Sequence, residues 1–316
     1  MKRKNFNNLS ITYAPHAVTD VDTKKVMLTV ILALLPAMGV GVYQFGYQAL
    51  IQIVLCIAAC MGFEWAYNKI AKTPQTVGDL SAALTGVLLA CNIPAGLPYW
   101  MTIVGCFIAI VIVKQLFGGI GQNLVNPAVT ARIVLFISFA TEMTTWPVPR
   151  GAGSVDAVTG PTPLGVLKEG GQMPSNMDLF LGNVGGCIGE VSALALLIGG
   201  IFLIWRGIIS WIIPVTFLGT VFVLTLLIPG QDPIFHLCAG GLMLGAFFCA
   251  TDYVTSPILP KGKIIFGIGC GLITVLIRVY GSYPEGVSFA ILLMNILTPH
   301  IDNFCINRQY KKGGAK

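Results

Sequence analysis

The sequence VMLTVILALLPAMGVGVYQF, residues 26–45, contains no charged side chain over 20 consecutive positions. A helix that crosses the hydrocarbon core of a bilayer needs roughly 20 mostly apolar residues. This run is therefore predicted to be a transmembrane helix, and similar apolar runs recur towards the C-terminus. The pattern indicates an all-α polytopic membrane protein.

Composition supports this fold class. The chain has 316 residues, of which 55% are hydrophobic and 10% are charged, with a mean hydropathy of +0.81. Soluble domains carry about 25% charged residues, so this chain has too little charge to cover a soluble globule. The first 25 residues lack the apolar run of a cleavable signal, so the first span is expected to be retained.

We predict about ten spans, some of them short or broken by Gly and Pro. Broken helices of this kind often line a cavity, because their free backbone groups cannot face lipid. The predicted spans cover residues 25–45, 47–70, 79–97, 99–117, 126–141, 186–205, 209–229, 234–250, 264–280 and 286–301.

The basic residues predict the orientation of the chain. With a cytoplasmic N-terminus, 16 of the 19 Lys and Arg residues lie in cytoplasmic segments or at the cytoplasmic ends of spans, as the positive-inside rule requires. Only Arg150, Lys168 and Arg278 fall outside. The +6 net charge is thus explained by topology, and nucleic-acid binding is not predicted. Five segments follow: a cytoplasmic N-terminal segment 1–24, a first half 25–141, an extracytoplasmic loop 142–185, a second half 186–301 and a cytoplasmic tail 302–316.

Weak internal similarity indicates two inverted five-helix repeats. The stretch GGIGQNLV at 118–125 resembles GSYPEGVS at 281–288, and TGVLLAC at 85–91 resembles LGAFFCA at 244–250. An odd number of spans in each half makes any duplication inverted. Chance similarity between apolar helices is the alternative explanation.

Several polar residues stand out from the apolar spans. Asn126 precedes Pro127, a good N-cap and N1 pair that either caps a helix or directs a half-helix at an anion or pore. Asp252 and Thr255 could cap a helix, bind a cation or flavin edge, or form a plain turn. Glu190 near the outer boundary is a functional candidate because intramembrane acids are expensive. Glu64 is predicted to be interfacial.

Other chemistry is not predicted. The nine cysteines form no Cys-x-x-Cys pair and mostly lie in apolar runs, so neither an internal iron–sulfur cluster nor disulfides are expected. The three histidines show no metal-ligand spacing. The glycine pairs lack a strand–turn–helix context, so a dinucleotide site is not supported. The loop stretch DAVTGPTPLG at 156–165 is a turn cluster in which composition does not separate Thr159 from Thr162.

Longer motifs carry a resemblance that runs nearly end to end. They include DLSAALTGVLLA at 79–90, KQLFGGIGQNLVNPAVTAR at 114–132, GEVSALALLIGG at 189–200, GAFFCATDYVTSP at 245–257 and YPEGVSFAILLMN at 283–295. On these motifs the chain resembles the family of D subunits of Rnf complexes, the ion-translocating ferredoxin:NAD⁺ oxidoreductases. It is more distantly similar to B subunits of sodium-pumping NADH:quinone oxidoreductases.

The resemblance implies a covalent flavin. In the family a threonine of a Ser/Thr-Gly-Ala-Thr motif carries FMN through a phosphoester on the outer face. The matching residues are Thr159, Gly160, Pro161 and Thr162, so Thr162 is the implied attachment residue, with Asp156 matching the preceding acid. Pro161 replaces the usual Ala. A second, non-covalent flavin (riboflavin) is also implied, and our candidates for it or for an ion are Asn126, Arg132, Glu190, Asp252 and Thr255.

The implied function is an electron-transfer subunit without free-standing activity, in a complex of the bacterial inner membrane that moves Na⁺ or H⁺. Implied partners are the other flavin- and iron–sulfur-carrying Rnf subunits, a flavin transferase and membrane lipid. One alternative is a small-solute or ion channel of inverted-repeat fold. Another is a scaffold subunit that only anchors its partners.

Overall fold

The computed structural model describes residues 22–147, 150, 159–160, 162–169, 174–281, 283 and 285–313. Asp156 and Pro161 of the predicted flavin motif lie outside these residues. The described residues are mostly helical, with one short antiparallel pair of strands, β1 (Trp146–Pro147) and β2 (Thr159–Gly160).

The helices follow in chain order. The first group is α1 (Thr23–Phe45), α2 (Tyr47–Ala71), a 3₁₀ turn (Val77–Asp79), α3 (Ser81–Cys91), α4 (Tyr99–Phe107) continued by a π-helix (Ile108–Gln115), α5 (Pro127–Ser138) and α6 (Ala140–Met143). Two short helices then follow, α7 (Pro163–Glu169) and α8 (Asn176–Leu181). The last group is α9 (Ala193–Trp205), α10 (Ile212–Leu227), α11 (Pro233–Cys238), α12 (Leu242–Leu244) continued by a π-helix (Gly245–Cys249), α13 (Pro260–Tyr280) and α14 (Val287–Gly313).

Four of the described helices are long and apolar enough to cross a bilayer: α1, α2, α13 and the Val287–Arg308 part of α14. Large apolar side chains remain exposed on their surfaces, such as Leu35 at 50% and Ile70 at 83%. A lipid-facing surface accounts for this exposure, because contact with acyl chains needs no polar coat. The chain is a multi-pass membrane protein.

Several predicted spans are shorter or displaced. The third, predicted at 79–97, is helical only over α3, and the sixth, predicted at 186–205, becomes helical at Ala193. Consequently Glu190 lies before a helix rather than inside one. The tenth span continues to Gly313, so the predicted tail 302–316 begins as part of α14.

Glycine allows the two halves of the chain to pack closely. A Cβ at Gly41 of α1 would lie closer than 3.0 Å to the carbonyl oxygen of Ile188, and one at Gly199 of α9 would collide with the carbonyl of Ala33. Small residues at such contacts let backbones approach, and this is how helices associate where lipid provides no hydrophobic driving force. Contact between α1 and the segment 182–205 therefore joins the halves.

The two short helices α3 and α12 end beside each other. Asn92, directly after α3, places its amide nitrogen 4.0 Å from the Cys249 sulfur at the end of the second π-helix. Asn126 donates to the carbonyl of Cys249 at 3.2 Å, and Arg132 donates to the Asn92 amide oxygen at 3.2 Å. The N-terminal turns of α5 thus bridge the ends of both short helices.

Candidate functional site

Arg132 of α5 is the centre of a buried polar cluster. One Nη donates to Asn92 and to the Ser288 hydroxyl at 3.0 Å. The other donates to the Glu285 carboxylate and lies 3.9 Å from Glu190 Oε2. Two carboxylates from different parts of the chain therefore share one buried guanidinium. A buried charge is tolerated when it is paired in this way.

The carboxylates keep unused acceptor atoms. Glu190 Oε1 accepts from the backbone N–H of Cys187 at 3.1 Å. Glu190 Oε2 and Glu285 Oε1 are buried and accept no hydrogen bond from the described residues. A side chain at Gly241 would place its Cβ 2.7 Å from Glu190 Oε2 and 3.3 Å from an Arg132 nitrogen. Position 241 therefore requires glycine, because any Cβ there would crowd Glu190 and Arg132.

Thr162 reaches the same cluster. It is 5% exposed, and its hydroxyl oxygen accepts from the backbone N–H of Gly165 at 3.1 Å, which caps the first turn of α7. Thr162, Glu190, Glu285 and Gly240 line one small cavity of about 270 Å³, including space open to solvent, called here the Thr162 cavity. Two candidates from the sequence, Thr162 and Glu190, are thus brought together.

Arg278 of α13 lies behind one wall of the Thr162 cavity. Its Nη atoms donate to the carbonyls of His236 (2.6 Å) and Ala239 (2.9 Å), while its buried Nε donates to no described residue. Among the described residues it forms no ion pair. A Cβ at Gly240, which has a positive φ of 64°, would lie 3.2 Å from an Arg278 nitrogen. A second buried cation therefore lies next to Gly240, one of the residues that line this cavity.

Lys168 fastens α7 to the rest of the molecule. Its ammonium donates to the carbonyls of Gly281 (2.6 Å) and Tyr283 (2.7 Å), in the connection that also carries Glu285. Partial burial lowers the pKa of this lysine. The helix that follows Thr162 is thereby held against the segment that supplies one wall of the cavity.

A second, larger pocket of about 850 Å³, including space open to solvent, is called here the Asn126 pocket. Asn126 and Asp252 both line it, together with the aromatic rings of Phe247, Phe248 and Tyr253. Asn126 caps α5 as predicted, accepting from the N–H groups of Ala128 (3.1 Å) and Val129 (3.2 Å). Its side-chain nitrogen donates to the Cys249 carbonyl.

Asp252 is oriented by Thr255, whose hydroxyl donates to Asp252 Oδ2 at 3.1 Å. Burial raises the pKa of Asp252, and the hydrogen bond from Thr255 opposes that shift. Arg132, grouped with Asn126 in the sequence, points instead into the cluster with Glu190 and Glu285. The five candidates therefore divide between two places rather than forming one site.

Glu64, which the sequence predicted to be interfacial, lies inside the protein rather than on its surface. It is fully buried and forms an ion pair with Lys114 at 2.9 Å. The same Oε1 also accepts from Gln115 (2.8 Å) and Thr76 (2.9 Å), and Lys114 donates further to the Ser81 hydroxyl at 2.6 Å. The lysine 50 positions away supplies the charge that makes this burial possible.

Comparison with known proteins agrees with the resemblance seen in the sequence. A family model described as the NQR2, RnfD, RnfE family matches residues 10–311. The chain belongs to the NQR2, RnfD, RnfE family.

Named relatives of this family member are similar over almost their whole length. The D subunit of the Na⁺-translocating ferredoxin:NAD⁺ oxidoreductase complex of Acetobacterium woodii is 52% identical, covering 96% of this chain and 95% of that protein. The D subunit of the proton-translocating complex of Clostridium ljungdahlii is 46% identical, covering 94% and 95%. The D subunit of an ion-translocating oxidoreductase complex of Stutzerimonas stutzeri is 41% identical, covering 90% and 91%.

The charged residues that line the Thr162 cavity are the carboxylates Glu190 and Glu285, so any fit to the phosphate end of FMN depends on arginines that lie behind this lining. An ester to the hydroxyl of this family member would place a phosphodiester anion beside a buried cluster that contains Arg132, with Arg278 behind the wall and one of its N–H groups unused. The enclosure does not fit as well, because the hydroxyl is buried and the cavity is small. Attachment would require α7 to move.

Sequence reasoning missed Glu285, Arg278 and Lys114 as members of buried clusters. Two signals were present: each basic residue ends a span that aligns in the proposed repeat, and Glu285 lies in the YPEG stretch of that same repeat. What the sequence did not reveal is which distant side chain each of them meets.

Proposed function

We propose that the chain is the flavin-carrying electron-transfer subunit of an ion-translocating ferredoxin:NAD⁺ oxidoreductase, with FMN ester-linked to Thr162. The relatives named above are D subunits of such complexes. One observation carries the finer part: Thr162 opens onto a cavity beside the Arg132 cluster. Donor and acceptor sites would lie in other subunits, and a flavin transferase would load the threonine.

In this proposal Arg278, which lies behind the wall of the Thr162 cavity, supplies the positive charge for an anion at Thr162, because the charged lining residues are Glu190 and Glu285. Arg278 directs two N–H groups to backbone carbonyls and has a third available. Charge-assisted hydrogen bonds from arginine are well matched to phosphate oxygens. The phosphodiester would therefore be held by a cation that has no carboxylate partner among the described residues.

Bound FMN would supply a carrier for one or two electrons. The chain itself would supply the ester oxygen of Thr162 and, through Lys168, the docking of α7. Glu190 and Glu285 share the guanidinium of Arg132, and each keeps one buried oxygen without a hydrogen-bond donor among the described residues, Glu190 Oε2 and Glu285 Oε1.

Burial of the Thr162 hydroxyl sets an order of events. The oxygen is capped by Gly165 and only 5% of the residue is exposed. A transferase must reach this oxygen, so we propose that loading precedes the docking of α7, which Lys168 then secures. Asp156, Thr159 and Gly160 would serve recognition by the transferase.

The Asn126 pocket is our candidate for the second flavin, riboflavin. Its aromatic side chains offer stacking surfaces to an isoalloxazine ring. Asn126 and Asp252 offer polar groups, and Thr255 fixes the carboxylate of Asp252. Arg132 and Glu190 belong to the other cluster and have no role in this pocket.

We propose that the chain crosses the membrane ten times as two inverted five-span halves, with both termini cytoplasmic and the Thr162 segment outside. The meeting of the α3 and α12 ends supports an inverted arrangement. The relatives are named for different ions, Na⁺ in one and protons in another, so both remain within the proposal.

Intact mass of the purified chain, coexpressed with a flavin transferase, tests the attachment. We expect the mass increment of one FMN in the wild type and in Thr145→Ala, an exposed threonine outside the motif, and no increment in Thr162→Ala. An increment retained in Thr162→Ala would overturn the assignment. Absence of flavin from the wild type together with solute conduction in liposomes would favour a channel instead.

A further inference from the structure

A groove between the N-terminal end of α13 and the C-terminal end of α14 shares no lining residue with the Thr162 cavity or the Asn126 pocket. It encloses about 800 Å³, including space open to solvent. Its lining residues are Leu259, Pro260, Lys261, Ile265, Phe304, Cys305 and Arg308. We call it the α13–α14 groove.

The groove has the same order of polarity on both walls. Lys261 and Ile265 are one turn apart on α13, and Arg308 and Phe304 are one turn apart on α14. On each helix the basic residue lies nearer the end of the span and the apolar residue lies deeper. The groove therefore runs from two cations at the membrane boundary to an apolar floor inside the bilayer.

The two cations are free for a ligand. Neither Lys261 nor Arg308 forms an ion pair among the described residues, and no acid stands among the lining residues. The nearby Asp302 instead accepts from the backbone N–H of Ile258 at 3.2 Å. The N-terminal end of α13 adds a partial positive charge to the same place.

We propose that the α13–α14 groove binds one anionic phospholipid, with its phosphate at Lys261 and Arg308 and an acyl chain along Ile265 and Phe304. A soluble phosphate would satisfy the cations but leave the apolar floor uncovered, and a zwitterionic lipid would cover the floor without a net charge. Only an anionic lipid matches both parts. Phe304 is 57% exposed in the described structure, and an acyl chain would cover it.

Native mass spectrometry of the full chain, released from detergent with equal phosphatidylglycerol and phosphatidylcholine, tests this site. Each base near the membrane surface favours an anionic headgroup by about fivefold. We therefore expect phosphatidylglycerol to be preferred over phosphatidylcholine, and the preference to fall by about thirtyfold in Lys261→Gln/Arg308→Gln.

Three controls make the result decisive. Lys24→Gln/Arg206→Gln removes two charges elsewhere and should retain the preference. Lys261→Arg/Arg308→Lys conserves the charges and should retain it too, even if the glutamine variant folds poorly. Phe304→Ala should weaken retention of both lipids. Equal binding of the two lipids by the wild type, an unchanged preference in the glutamine variant, or displacement of the lipid by millimolar glycerol phosphate would overturn the proposal.

Discussion

Substitution of Gly41 by alanine should destabilise the chain, whereas the same substitution at Gly39 should not. Both glycines lie on α1. The new Cβ at position 41 would lie closer than 3.0 Å to the Ile188 carbonyl oxygen, and a Cβ at position 39 would meet no atom within 4 Å. Alanine improves helix propensity by up to about 1 kcal/mol at either position.

The magnitude follows from the backbone contact. Overpacking a well-packed contact costs about 1–3 kcal/mol, and here the neighbour is main chain rather than a flexible side-chain end. Since propensity gains are matched between the two sites, the variants should differ in unfolding free energy by about 1–3 kcal/mol. Separation of α1 from Ile188 would also disturb the adjacent Cys187, which contacts Arg132.

The assay can use the chain's own cysteines. Eight of the nine are buried, so a thiol-reactive fluorescent dye reports unfolding during a thermal ramp in detergent. We expect Gly41→Ala to melt several degrees below Gly39→Ala, because each ~1 kcal/mol corresponds to a few degrees for a chain of this size. Equal melting temperatures would refute the close-packing account of the interface between the halves.

Three further outcomes test the clusters. Glu64→Gln and Lys114→Met should each lower the free energy of unfolding by about 3–5 kcal/mol, because each leaves a buried charge unpaired; the double variant should lose less than the sum, and additive losses would contradict the pairing. Arg278→Gln should reduce the fraction of chains that carry FMN by intact mass, while Arg278→Lys retains most of it. If both variants load like the wild type, Arg278 does not hold the phosphodiester. Lys168→Met should increase the rate of flavin attachment to the folded chain, measured by in-gel fluorescence, and Lys168→Arg should not. Equal attachment rates in Lys168→Met and the wild type would show that Lys168 does not hold α7 over Thr162.

A local capping signal predicted the start of α5, whereas the apolar run did not predict the end of α3. Asn126 and Pro127 predict the start of α5, and in the structure Asn126 caps this helix. The predicted end of α3 is too late, because the apolar run continues through residue 97. Its actual stop depends on Asn92, whose amide donates back to the Leu88 carbonyl at 2.7 Å, and on Pro94, which restricts the residue before it.

Contacts between distant residues explain the remaining misses. An acid such as Glu64 beside Trp65 has the composition of an interface, and only the approach of Lys114 makes its burial possible. Likewise the sequence places Glu190 in a span, whereas Ser192 caps α9 by accepting from Ala195 at 3.3 Å and leaves the acid in the preceding segment. No local sequence pattern predicts the Glu64–Lys114 ion pair or the position of Glu190 before α9.

Lys114 and Arg278, the bases near the ends of the two aligned spans, show how the two halves differ in charge. Lys114 reaches the first residue of α3 through the Ser81 hydroxyl, and Arg278 reaches the segment just before α12 through the Ala239 carbonyl, so their positions correspond. The two basic side chains have different partners. Lys114 is neutralised by Glu64, while Arg278 meets only carbonyls among the described residues and keeps an unused N–H. A buried cation without a carboxylate is costly unless an anion completes it. The half that retains such a cation also supplies Glu190, Gly240 and Glu285 to the Thr162 cavity, and this asymmetry is the physical reason for proposing that an anion binds there.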